Sequence, residues 1–153
     1  MEKETMHFIK LNSKIFRNIQ VFMDSVLEKY DLSSGSCPYL FILDKNEGIS
    51  QNKISKEIGN DKAMSTRTIK KLIELDYVLK KEDERDSRAY KLYLTTKAKA
   101  VIPKMHQEIQ ALVNLITQDL SEKEKAITMK SLIKIFNNTQ RLKDKEVVAH
   151  NGH

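Results

Sequence analysis

From residue 8 to residue 30 the apolar positions Leu11, Ile15, Ile19, Phe22, Met23, Val26 and Tyr30 recur at three- and four-residue steps, with Lys14, Arg17, Asn18 and Asp24 between them. That spacing lines one face of an α-helix and predicts a long first helix. Segment 31–38 is rich in turn formers and ends in Pro38, which a first helical turn tolerates, so a second helix is predicted from there to Asn46, with Gly48 after it. Ser50 opens a short pattern, Ile54 and Ile58, that stops at Gly59-Asn60-Asp61 and predicts a helix of two turns. Asp61 then offers an N-cap for a fourth helix over 62–76, marked by Ile69, Leu72, Ile73 and Tyr77. Here the period changes from helical to alternating. Residues 78–82 and 89–95 bracket a charged turn, and Tyr90, Leu92 and Leu94 alternate with Lys91 and Tyr93, as the faces of a hairpin strand do.

The helical period returns at Val101, Met105, Ile109, Leu112, Ile116 and Leu120, a fifth helix with Pro103 near its start. Ser121-Glu-Lys-Glu124 has the form of a capping box. It predicts a sixth helix carrying Ile127, Leu132, Ile135, Phe136 and Leu142 to Lys143, with a frayed tail beyond. The predicted fold is mainly α, an α+β winged helix with six helices and a two-stranded β wing. Residues 1–46 hold the N-terminal helices, 47–97 the central lobe, 98–143 the C-terminal helices, and 144–153 a flexible tail.

Composition narrows the function. With 153 residues the chain can bury a core without disulfides or metals. One cysteine, Cys37, cannot form an internal disulfide, and there is no thiol cluster for zinc, so a reducing compartment, the cytoplasm, is expected. The N-terminal stretch has the charges Glu2, Lys3, Glu4 and Lys10 and no apolar run, so export is not expected, and no apolar stretch is long enough for a bilayer span. The histidines His7, His106, His150 and His153 form no metal-binding array, and there is no Gly-rich phosphate loop or nucleophile elbow. Neither a cofactor nor an enzymatic site is indicated.

The net charge is +6, and from Lys45 to Lys99 fourteen basic residues face nine acidic ones, so nearly all of the excess lies in the central lobe. A short helix, a tight turn, a second helix and a β ribbon form a winged helix-turn-helix, whose second helix enters the major groove by its N-terminal end. Here that end presents Lys62, Ala63, Met64, Ser65, Thr66, Arg67 and Lys70. Ala63 and Ser65 are small enough for close approach, the Ser65 and Thr66 hydroxyls can donate or accept, and Arg67 can pair with guanine or clamp a phosphate. Ser50 and Gln51, at the start of the third helix, complete this set of candidate contacts. The alternative for such a helix is a solvated charged face. The hairpin tip, Asp83-Glu-Arg-Asp-Ser-Arg88, adds two exposed arginines. Arg85 and Arg88 can meet DNA there, Arg85 in the narrow minor groove, with Asp83 holding the Arg85 guanidinium by a charge-assisted pair.

The segment 49–101 resembles the DNA-binding lobe of the MarR family of bacterial transcriptional regulators. The resemblance is carried by Ser50-Gln-Asn-Lys-Ile-Ser-Lys-Glu-Ile-Gly59, Ser65-Thr-Arg-Thr-Ile-Lys-Lys-Leu72, the D-x-R-D-x-R tip and Leu92-Tyr-Leu-Thr-Thr-Lys97. The sequence departs from the family pattern at Asp76 and Ala98, where the family commonly has glycine. Asp tolerates a left-handed cap, and Ala98 implies that the fifth helix starts early or firmly.

The resemblance implies a homodimer built by helices from both termini, binding double-stranded DNA at a palindromic operator, most simply as a repressor. The long apolar stripes of the first, fifth and sixth helices are the means, though part of each must serve the core. It also implies a small aromatic or anionic effector. Phe16, Tyr30, Tyr39, Phe41, Met105 and His106 are candidates to line its pocket, and the same residues suit core packing. Peroxide-sensing relatives carry the reactive thiol in the first helix, which here has none, so Cys37 reads as a bystander. The competing function is a winged-helix module for protein–protein contact, which would have no need of basic residues at both the recognition helix and the wing.

Overall fold

The computed structural model describes residues 2–59, 61–86 and 88–152. Asn60 of the predicted turn, Ser87 of the tip and His153 of the tail lie outside the described residues, as does Met1. Among the described residues the order is α1 (Glu2–Leu27), a 3-10 turn (Glu28–Tyr30), α2 (Cys37–Lys45), α3 (Gln51–Ile58), α4 (Lys62–Glu74), β1 (Val78–Glu82), β2 (Tyr90–Leu94), α5 (Thr96–Ile116) and α6 (Glu122–Asn151). The chain divides into two compact units, residues 1–109 and 110–153. Among the described residues no helix is long and apolar enough to cross a membrane.

In the first unit, local chemistry ends each element where the sequence implies. The Ser50 side chain accepts the Lys53 N–H and caps α3, and Gly59 closes it at φ 77°, where a Cβ is disfavoured. Asp61 caps α4 by accepting the Met64 N–H at 2.7 Å. Asp76 takes the left-handed conformation after α4, at φ 62°. β1 and β2 pair antiparallel, with Val78 opposite Leu94 and Glu82 opposite Tyr90. The chain entering α3 joins this ribbon: Gly48 N–H donates to the Leu92 carbonyl at 2.8 Å, and Leu92 N–H donates to that of Ile49 at 3.0 Å. Gly48 sits at φ 83°, and a Cβ there would meet the Tyr93 hydroxyl at 3.3 Å. The core gathers Tyr39, Leu40 and Leu43 of α2, Ile54 of α3, Ile69 and Leu72 of α4, Leu92 of β2, and Ala98, Ile102 and Met105 of α5.

The early start of the fifth helix that Ala98 implies is found, and the place of Pro103 needs correction. Helix α5 begins at Thr96, because the Thr95 hydroxyl accepts the Ala98 N–H at 3.1 Å and Ala98 is fully buried. Pro103 therefore lies inside the helix and not at its start.

The second unit contains the end of α5 and all of α6. Ser121 and Glu124 form the predicted capping box, with reciprocal bonds of 3.2 and 2.8 Å. The helix does not fray at Lys143 but continues to Asn151. No helix breaker intervenes before Gly152, and Gln140 bonds to Asp144 one turn on, while Glu146 pairs with His150. None of the residues of α6 is buried.

Candidate nucleic-acid interface

Helix α4 turns Ser65, Ile69 and Leu72 into the core. At 100° per residue the opposite face carries Ala63, Arg67 and Lys70, with Lys62 and Thr66 on the flank towards α3. All five are exposed. Met64, also exposed, stands on the other flank. Lys62, Thr66, Arg67 and Lys70 are thus accessible, as a contact would require, whereas Ser65 is buried.

Ser65 is a buried link between three helices. Its hydroxyl donates to Ser55 Oγ of α3 at 3.0 Å and bonds with the Tyr39 hydroxyl of α2 at 2.9 Å. Its exposure is 1% and that of Tyr39 is 0%. So buried, Ser65 offers no surface to a base edge, and Tyr39 is packed in the core. A small hydroxyl is present because α3 and α4 cross closely there, and the buried phenol needs a polar neighbour.

The start of α3 meets both α4 and the wing. Gln51 Nε2 donates to the Thr66 hydroxyl at 3.3 Å, while that hydroxyl donates to the Lys62 carbonyl at 2.7 Å. Ser50 uses its side-chain oxygen on the helix cap. Ser50, Gln51 and Arg88 line one cleft of about 210 Å³ together with Asn52, Lys80, Ala89 and Tyr90. The predicted residues of helix and wing are thus brought together, and Lys80, whose ammonium lies 4.1 Å from the centre of the Tyr90 ring, is an addition that sequence reasoning missed. Its one signal in the sequence was its charge within the basic central lobe, since β1 reads Val-Leu-Lys-Lys-Glu with no alternation and is exposed beyond Val78.

At the wing tip Asp83 does not hold the Arg85 guanidinium. Its Oδ1 accepts the Arg85 backbone N–H at 2.9 Å, and Asp86 does the same for Arg88 at 3.0 Å. The D-x-R-D-x-R motif is a doubled Asx turn, in which each carboxylate folds the chain two residues on and leaves the next arginine exposed. The nearest cation to Asp83 is Lys91, at 3.8 Å.

On the other side of α4, Arg67, Thr68 and Lys71 border a cleft of about 430 Å³ with segment 31–36. None of the proposed effector-pocket residues lines either of these two clefts. Phe16 is 66% exposed on α1. Tyr30 is half-buried, and its carbonyl accepts from the Tyr77 hydroxyl at 2.7 Å. Met105 is a core residue. Phe41 and His106 are stacked with ring centres 4.3 Å apart. Cys37 is buried at the start of α2, its thiol pushed up to about 11 by burial and then by the nearby Asp24 carboxylate. A thiol held protonated and out of solvent is a poor nucleophile.

Residues 32–90 match the model of the MarR family. The chain is 30% identical over 132 residues to the HTH-type transcriptional regulator BilQ of Clostridioides difficile (strain CD3), over 86% of this chain and 88% of that protein. Among solved structures it is similar to a MarR transcriptional regulator from Methanosarcina mazei Go1, with a TM-score of 0.83, 28% identity and coverage of 90% and 99% of the two chains. It also shares its fold with Streptococcus pneumoniae FabT, solved in complex with DNA, at a TM-score of 0.78, 22% identity and coverage of 90% and 99%.

Proposed function

The chain belongs to the MarR family of transcriptional regulators, and on that premise we propose that it is a cytoplasmic repressor that binds a palindromic operator as a homodimer and is released by a small aromatic or anionic ligand. The family is one of DNA-binding regulators and not of enzymes. The observation that carries the reading is the convergence of cations on the elements a duplex would meet. Exposed Lys62, Arg67 and Lys70 stand on the outer face of α4, Arg85 and Arg88 stand on the wing, and Lys80 and Arg88 share a cleft with the start of α3. A polyanion with a groove satisfies all three. FabT, of the same fold, has been solved on DNA.

Dimerisation is supported by two apolar faces, each considered within its own unit. On α1, Phe8, Leu11, Ile15 and Phe16 are exposed. On α6, Ile127, Leu132, Ile133 and Phe136 are exposed. Patches of this kind mark protein interfaces. Residues 1–46 and 98–143 are accordingly assigned to dimerisation. Effector release rests on family membership, and the stack of Phe41 on His106 is where two of the candidate lining residues meet.

Selection from a random duplex pool at moderate salt tests the reading. The wild type is expected to enrich an inverted repeat with half-sites about one helical turn apart. Arg85→Ala is expected to weaken binding and to flatten the salt slope by about one unit. Arg67→Ala is expected to cost affinity, with about 1–3 kcal/mol of discrimination lost at one base pair if it reads guanine. Enrichment of no sequence by the wild type would overturn the proposal.

A further inference from the structure

Near the start of α4 the exposed side chains of Ala63 and Thr66 carry methyl groups one helical turn apart, and the polar group of Thr66 is already committed. The Thr66 hydroxyl gives its single proton to the Lys62 carbonyl at 2.7 Å and receives one from Gln51 Nε2 at 3.3 Å. It has no proton left for a purine N7 or O6, and its oxygen is drawn back onto its own helix and towards α3. What the exposed side chain retains for a partner is its γ-methyl. Ala63, three residues earlier and therefore adjacent on the helix surface, is exposed and offers only a methyl. It stands opposite the buried Ser65, Ile69 and Leu72, at the centre of the outward face.

In the major groove thymine presents a C5-methyl group, which Ala and the Thr methyl match by apolar contact. We propose that Ala63 and Thr66 read a thymine 5-methyl in each half-site, and that Thr66 does so by its methyl and not by its hydroxyl. The inference rests on the DNA-binding reading above and specifies what one part of that surface recognises.

The experiment starts from the selected operator. Each thymine of a half-site is replaced in turn by deoxyuridine, which lacks the methyl and keeps the pairing edge. Affinity for the thymine and deoxyuridine duplexes is compared by fluorescence anisotropy for the wild type, Thr66→Ser and Thr66→Val. At one thymine per half-site the wild type and Thr66→Val are expected to lose about fourfold, the worth of one buried methyl at about 0.8 kcal/mol. Thr66→Ser, which keeps the hydroxyl and lacks the methyl, is expected to discriminate much less. Each comparison is a ratio within one protein, so a smaller folded fraction in a variant cancels. A half-site without thymine, indifference of the wild type to every deoxyuridine, or discrimination kept by Thr66→Ser and lost by Thr66→Val would overturn the inference while leaving DNA binding intact. Failure to select any sequence overturns the DNA reading itself, and the inference with it.

Discussion

Ser65 links Tyr39 of α2 to Ser55 of α3 from its place on α4, so its two bonds tie the start of α4 to both helices. Each such bond is worth about 1 kcal/mol net, because it replaces bonds to water. Ser65→Ala is expected to destabilise the protein by roughly 1–2 kcal/mol, read by urea denaturation at fixed protein concentration. The salt slope of DNA binding is expected to stay at the wild-type value, since Ser65 meets no phosphate. A changed slope with unchanged stability would return Ser65 to the DNA face. Its burial was legible in the sequence: stepping back four residues from Ile69 and seven from Leu72 lands on Ser65. A hydroxyl beside Thr66 and Arg67 reads as a contact because sequence alone does not show that the buried phenol of Tyr39 needs that partner.

The elements themselves were legible wherever a cap or a change of period marks them. Ser50, Asp61 and Ser121 all cap as expected, and the shift to alternation at Val78 marks the wing. Ala98 signals an early start of α5, but its residue was not legible, because the cap is Thr95, a residue that also closes the strand register by donating to the Asp76 carbonyl at 2.6 Å. The wing tip shows a subtler limit. A two-residue spacing from Asp83 to Arg85 suits a side-chain ion pair and an Asx turn equally, and the second is what forms. The two roles separate by substitution. Asp83→Asn keeps the turn acceptor and removes a negative charge from the wing proposed to meet phosphates, whereas Asp83→Ala removes both. If Asp83 builds the turn, the Asn variant is expected to bind operator at least as tightly as wild type, and the Ala variant more weakly, as measured by anisotropy at one salt concentration. Equal loss in both would mean that the carboxylate charge itself matters.

At the scale of the whole molecule, α6 presents a problem that a single chain leaves open. Thirty residues in one helix, with none buried, leave an apolar stripe in water, whereas most helical stability in proteins comes from packing such a face. Leu132 and Phe136 lie one turn apart on that helix and are both exposed. The apolar stripe was plain in the sequence, but periodicity cannot say whether a stripe faces its own core or another chain. Leu132→Glu combined with Phe136→Glu places two charges where a second copy would have to desolvate them. The variant is expected to sediment as a monomer while the wild type sediments as a dimer. A monomer has one lobe in place of two and neutralises about half the phosphates, so its salt slope on DNA is expected to fall to about half the wild-type value, because the slope scales with the number of phosphates met. A variant that stays dimeric would place the interface elsewhere, with the exposed face of α1 next to be tested. A monomer that keeps the full slope would show that both lobes' worth of contacts come from one chain, which the single α4 and single wing of this structure do not supply.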